Sequence, residues 1–112
     1  KKKICSMFKD KSFCKLILIE KNELIGFISI FPRDCEEEKE LTPWYATMYV
    51  KKEYRKHGYS RILNNAILKE AKNRCFSTIY LKTDLKNYYD KFGAIFIKEL
   101  KTGELLYKFE NF

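Results

Sequence analysis

The run Arg55-Lys56-His57-Gly58-Tyr59-Ser60-Arg61 puts four basic side chains, a glycine and a small hydroxyl residue into one short stretch. It leaves a segment suited to a strand, Trp44 to Val50, and enters one suited to a helix. A turn that opens a helix leaves several backbone N–H groups without intrahelical partners, all pointing the same way. Those donors, with the positive end of the helix dipole, favour an anion such as a phosphate. Gly58 has no Cβ to hold a phosphate oxygen off the backbone, and Ser60 is small and suited to the helix N-cap. The spacing Arg55-x-x-Gly58-x-Ser60 therefore reads as a diphosphate cradle. Without the glycine and the strand-to-helix setting, the same cations would read as a solvated charge cluster. His57 is the sole histidine and is read as a loop donor, not a base.

The cradle needs a sheet and a helix to hold it. Lys15 to Glu20 and Leu24 to Phe31 are rich in strand formers and are separated by a short polar segment, so they read as an antiparallel hairpin. Pro32 to Glu40 is a polar loop containing Glu36, Glu37 and Glu38. In the next strand, period-two alternation places Trp44, Ala46, Met48 and Val50 on one face and Tyr45, Thr47 and Tyr49 on the other. Neither face is very polar, which suits a central strand covered on both sides. From Ser60 to Asn73 the apolar positions Ile62, Leu63, Ala66, Ile67 and Ala71 recur at helical spacing, with Arg61, Asn64, Lys69 and Lys72 outside. Thr78 to Thr83 is a strand, so strand, helix and strand imply a right-handed crossover and a parallel pair. Leu85 to Phe92 reads as a short helix ended by Gly93. Ala94 to Glu99 and Leu105 to Phe109 pair around Thr102-Gly103. The expected fold is α/β, a mixed sheet with helices packed on it. Residues 1–14 read as a helix end or an ill-ordered lead-in.

The 112 residues suffice for one small domain, residues 1–112, and not for two. No apolar run approaches the roughly 20 residues of a membrane span, and no signal-like stretch follows Lys1-Lys2-Lys3. The missing initiator Met makes a fragment or processed form the expectation, and the cytoplasm is the expected compartment. The net charge of +8 fits a Lys-rich surface or a field that draws in a polyanionic cofactor. A third reading, nucleic-acid binding, lacks a stripe of basic residues interleaved with stacking aromatics. Cys5, Cys14, Cys35 and Cys75 are scattered, with no C-x-x-C pair; they read as reduced small hydrophobes, and no metal site is expected.

The loop resembles the acyl-CoA-binding motif of the GNAT N-acetyltransferases, Arg/Gln-x-x-Gly-x-Gly/Ala between a strand and a helix, with Ser60 at the last position. Leu41 to Val50, opening Thr42-Pro43-Trp44, resembles the strand before that motif in one bacterial branch. Tyr89-Asp90-Lys91-Phe92-Gly93-Ala94 resembles the later Tyr-Glu-Lys-x-Gly-Phe segment of the family. The resemblance covers residues 15 to 100. It implies the acyl-CoA N-acyltransferase fold, shortened at the front, because the family places a strand and two helices before a hairpin that only residues 1–14 precede here.

It also implies acetyl-CoA as cosubstrate and direct transfer to a primary amine of a small molecule or peptide in a ternary complex. A homodimer is compatible with it, and no membrane partner is expected. By resemblance, backbone groups around Met48, Tyr49 and Val50 would bond the pantetheine arm, and one N–H would polarise the thioester carbonyl, a contribution of about 3 kcal/mol. Arg55, Lys56, His57, Gly58, Tyr59, Ser60 and Arg61 would hold the diphosphate. Tyr89, four residues before Gly93, would protonate the leaving thiolate; its alternative role is packing. An acceptor amine of pKa ~10.4 is neutral about once in 2,500 molecules at pH 7, a cost of roughly 4.6 kcal/mol. The strand carboxylate that some family members use as base has no counterpart in Trp44–Val50. Asp34, Glu40 and Asp84 are the remaining candidates through water, each also explicable as a cap or surface group. Where the family often has an Asn to contact pantetheine, this chain has Lys82. A CoA-binding module without catalysis is the alternative reading.

Overall fold

The computed structural model describes residues 2–7, 14–33, 35–110 and 112. Among these residues lies one mixed sheet of seven strands: β1 (Lys2–Met7), β2 (Cys14–Glu20), β3 (Glu23–Phe31), β4 (Trp44–Val50), β5 (Thr78–Thr83), β6 (Ile95–Glu99) and β7 (Leu105–Glu110). Their spatial order is β1-β2-β3-β4-β5-β7-β6. The connection from β4 to β5 runs through α1 (Tyr59–Asn73), and β4 and β5 are parallel.

The hairpin forms as the alternation dictates. Cys14, Leu16 and Leu18 are buried and alternate with half-buried Lys15, Ile17 and Ile19. Its turn is the two residues Lys21 and Asn22, both at positive φ (53° and 64°), a pair of values that matches the right-handed twist of the flanking strands. The lead-in departs from expectation. Residues 2–7 are neither a helix end nor irregular but a strand, paired antiparallel from Lys2 opposite Glu20 to Met7 opposite Lys15. The open edge of β2 offers them a ladder that a short isolated helix lacks.

Helix α1 buries Leu63, Ile67 and Ala71 against β2, β3 and β4. Asn64, expected outside, is also buried, 1% exposed. It is tolerated because the Tyr45 O–H donates to its Oδ1 at 2.7 Å, and a buried polar group costs little once paired. Packed beneath are Ile25, Ile28, Ile30, Ile79, Tyr107 and Phe109. A smaller cluster of Cys35, Trp44, Leu100 and Leu106 forms separately.

Those two clusters expose a second departure. Trp44 lies in the small cluster and Tyr45 in the large one, as alternation requires, yet Met48 and Val50 pack on the side of Tyr45. The cause is a β-bulge. Ser29 pairs with Ala46 and Phe27 with Tyr49, so Thr47 and Met48 together oppose Ile28. One extra residue reverses which face each later side chain takes.

The C-terminal part carries a third departure. Leu85 to Phe92 is not a helix; only Tyr89–Phe92 forms a single 3-10 turn, closed by Gly93 at φ 94°. Thr83 Oγ1 takes the Leu85 N–H at 3.0 Å in a local turn, and Asn87 sits at φ 61°, in the left-handed region that a continuing helix excludes. The β6–β7 hairpin forms as expected, and the acidic loop before β4 clamps it. Lys98 Nζ donates to Glu38 Oε2 at 2.7 Å, and the Lys101 N–H donates to Glu37 Oε1 at 2.9 Å.

A cationic cleft where two parallel strands part

Strand β4 and its neighbour β5 are paired at a single position, Trp44 opposite Tyr80, where the Tyr80 N–H donates to the Pro43 carbonyl at 3.0 Å. Beyond it the two diverge. The bulge bends β4, and Gly26 of β3 lets it lean away. A Cβ at Gly26 would stand 2.3 Å from the Tyr49 carbonyl oxygen and 3.1 Å from Val50 Cα. The absent side chain is therefore the space into which the end of β4 moves.

The divergence opens a cleft of about 700 Å³. One side is the strand end, Met48, Tyr49 and Val50; the floor is the loop and first turn of α1, with Arg55, Lys56, Gly58, Tyr59, Ser60 and Arg61. The far side is Leu85, Tyr88, Tyr89, Lys91 and Phe92. Nine of the ten residues that the sequence marked for cofactor binding thus meet in one place, together with Tyr89. His57 does not line the cleft; its ring lies 6.1 Å from that of Tyr59.

The loop itself has the geometry of a cradle, with one change of cap. Gly58 is the N-cap, at φ 81° and ψ 7°, and Ser60 lies inside the first turn with no capping bond. Glycine tolerates that left-handed conformation where serine would be strained. The first intrahelical bond is Ile62 N–H to the Gly58 carbonyl, 3.2 Å. Among the described residues, the amides of Lys56, Gly58, Ser60 and Arg61 have no acceptor. The Arg55 Nε–H donates to the Val50 carbonyl at 2.9 Å and ties the loop back to β4. Tyr59 O–H reaches Glu20 Oε1 at 3.3 Å, and Lys51 Nζ lies 3.8 Å from Glu23 Oε2, so the β2–β3 turn braces the loop from below.

Electrostatically the cleft is one-sided. Among the described residues, Arg55, Lys56, Arg61 and Lys91 line it, and no carboxylate does. None of the four has an acidic partner among the described residues. Three rest on aromatic faces instead: Arg55 over Tyr49 (5.9 Å), Arg61 over Phe92 (5.0 Å) and Lys91 over Tyr88 (4.1 Å). Such contacts hold a cation in place without neutralising it.

Tyr89 lines the far side of the cleft. Burial, and then the neighbouring Tyr88 phenol, push its pKa up to about 12, so it is a neutral O–H donor at pH 7. Tyr88 stands beside it. Its ring meets that of Tyr89 edge-on at 4.8 Å, and both line the cleft. Tyr45 supports Tyr89 from behind, edge to face at 5.8 Å, and burial raises the Tyr45 pKa beyond any physiological titration. A smaller cavity of about 200 Å³ adjoins the cleft at Met48 and Tyr89, and its remaining lining is Tyr45, Ala46, Leu81, Lys82 and Glu104. Glu40 and Asp84 line neither space, and Asp34 lies outside the described residues. Glu104 was not singled out by sequence, because nothing local distinguishes a glutamate after Thr102-Gly103 from a surface residue.

Residues 2–94 match the acetyltransferase (GNAT) family; sequence comparison with curated proteins finds no match. An aminoglycoside 6'-N-acetyltransferase complexed with coenzyme A superposes with a TM-score of 0.74 at 19% identity, covering 88% of this chain and 73% of that one. A GNAT acetyltransferase from Elizabethkingia anophelis with acetyl-CoA bound gives 0.70 at 19% identity, covering 88% and 76%. An N-acetyltransferase from Thermoplasma acidophilum in complex with coenzyme A gives 0.71 at 18%, covering 88% and 61%. Those identities speak for the fold, and the match across most of the sequence speaks for descent: the chain belongs to the GNAT acetyltransferase family.

Proposed function

We propose that this chain, acting as one catalytic unit, transfers the acetyl group of acetyl-CoA to a primary amine in a ternary complex. The observation that carries the reading is the cleft: unbonded amides at a strand-to-helix bend, four cations without counter-ions, and a strand pair that opens beside them. The diphosphate would lie on the amides of Lys56, Gly58, Ser60 and Arg61, with Arg61 and Lys91 adding charge. The pantetheine arm would run along Met48, Tyr49 and Val50, taking the place of the β5 ladder. One N–H of that stretch would face the thioester oxygen as negative charge develops there.

Tyr89 would donate to the departing sulfur. Its raised pKa sets what this donation can do. Full proton transfer from a phenol near 12 to a thiolate whose conjugate acid is near 8.5 is uphill by about 5 kcal/mol. Tyr89 therefore acts mainly by a hydrogen bond that strengthens as the C–S bond breaks, with the proton supplied by the acylated amine through solvent. Placement and charge stabilisation supply most of the rate, as the geometry favours.

Titration with acetyl-CoA by calorimetry tests the cleft, and free-thiol release with a panel of primary amines, an aminoglycoside among them, tests transfer. Micromolar binding with thiol release supports the reading; absence of binding removes it. The lack of any carboxylate in the cleft lining favours a second reading, a CoA-binding module without catalysis, for which binding would persist with no amine acetylated.

A further inference from the structure

The small cavity beside Tyr89 is lined by two opposite charges that form only a loose ion pair. Lys82 Nζ and Glu104 Oε1 are 3.9 Å apart, beyond hydrogen-bond range, with about a quarter and a third of their side chains exposed. Glu104 Oε1 has Thr102 Oγ1 at 3.1 Å, which fixes the carboxylate on the β6–β7 hairpin. Lys82 comes from the end of β5, so the two charges approach the cavity from different elements. The cavity shares Met48 and Tyr89 with the large cleft, and a molecule seated there has one end at the point where β4 and β5 part. The large cleft is wholly cationic in its charged lining, whereas this cavity carries one charge of each sign.

We propose that this cavity is the acceptor subsite and that it takes a dipolar acceptor, one bearing a carboxylate close to its ammonium group. The proposal rests on the acetyltransferase reading and names the substrate class for it. Glu104 receives the ammonium, and Lys82 receives the carboxylate. A purely cationic amine would satisfy Glu104 and leave the Lys82 ammonium facing a second positive charge in the same small space. A dipolar molecule parts the loose ion pair and gives each member a closer partner. Hydrogen bonds to charged groups of this kind contribute about 1.5–3 kcal/mol each, so loss of the acceptor's carboxylate weakens binding by roughly 10- to 100-fold.

Matched amines that differ only in the carboxylate test this: L-tyrosine against tyramine, and L-lysine against 1,5-diaminopentane. Each is titrated by calorimetry into the protein saturated with CoA, a readout that does not need turnover. The expected result is at least tenfold tighter binding of the carboxylate-bearing member of each pair. Lys82→Met abolishes that preference, and Glu104→Gln weakens both members. CoA affinity stays unchanged in both variants, which shows that they fold and that the cleft is intact. Equal binding, preference for the decarboxylated amines, or no effect of either substitution overturns the proposal while CoA binding persists. Failure of the unaltered protein to bind CoA overturns the acetyltransferase reading and this proposal together.

Discussion

Gly26 holds the strand gap open, and Gly26→Ala tests that statement with a sign that can go either way. Gly26 does not occupy the left-handed region, so alanine is permitted by its backbone. Were there room, the substitution would stabilise the protein by about 0.4–1 kcal/mol, because the unfolded chain would lose conformational freedom. There is no room. The new methyl would lie 2.3 Å from the Tyr49 carbonyl oxygen, where ordinary contacts begin near 3.4 Å, so the end of β4 must move by about 1 Å. The obstacle is backbone, not the far end of a flexible side chain. Overpacking of this kind costs typically 1–3 kcal/mol, and at about 4 °C per kcal/mol the melting temperature falls by roughly 4–12 °C. The displacement pushes Met48 to Val50 toward β5 and narrows the cleft. A shift of this size at reacting groups costs about 100-fold in rate. Thermal melts by circular dichroism, with acetyl-CoA calorimetry and thiol release on the surviving fold, measure both effects. A raised melting temperature with unchanged cofactor affinity would refute the claim that the glycine creates the gap.

Three further substitutions probe the same site. At Gly58, φ is 81° and a Cβ would meet nothing within 4 Å, so strain and occlusion can be separated. Gly58→Asn, which tolerates that conformation, should keep the melting temperature within a few degrees yet weaken acetyl-CoA binding at least tenfold; Gly58→Val should lower both. Tyr89→Phe should reduce turnover 10- to 100-fold with less than a threefold change in acetyl-CoA affinity, and unchanged turnover would leave Tyr89 a packing residue. With its pKa near 12, Tyr89 adds no descending limb to a pH–rate profile between pH 6 and 10; a fall in rate near pH 8 that Tyr89→Phe abolishes would contradict this. Tyr45→Phe strands the buried Asn64 and should cost about 1–3 kcal/mol, most of it recovered in Tyr45→Phe/Asn64→Leu, as urea titration would show. Because the Tyr45 pKa is raised in the folded state, its contribution is complete below pH 10. It is lost as pH rises further, by up to about 1.4 kcal/mol per pH unit, and Tyr45→Phe should flatten that alkaline decline.

Much of this architecture could be read from local pattern. The hairpin, the β4–α1–β5 crossover, the basic glycine loop that opens α1 and Gly93 as a stop all follow from spacing and residue type, because each is decided within a few residues. What escaped depends on partners far along the chain. The bulge at Thr47–Met48 reverses the faces of Met48 and Val50, and its cause is partly the glycine on β3, some twenty positions earlier. Asn64 looks like a surface residue until Tyr45 is placed opposite. Tyr88 joins Tyr89 in the cleft because the left-handed Asn87 prevents the helix that would have separated them. Strand β1 and the lining role of Glu104 arise from pairings that no window of sequence contains.

A sheet is ordinarily most secure at its centre and frays at its rims. Here the loosest seam runs through the middle, since Trp44 opposite Tyr80 is the one register pair of β4 and β5 among the described residues. The two halves, β1 to β4 and β5 to β7, are joined there by side chains packed across the seam, Tyr45 on Phe109 and Trp44 with Leu106, and by the acidic tether to the C-terminal hairpin. A molecule threaded into that seam acts as a missing rung, so its arrival should stiffen the whole sheet and slow amide exchange in strands it never touches.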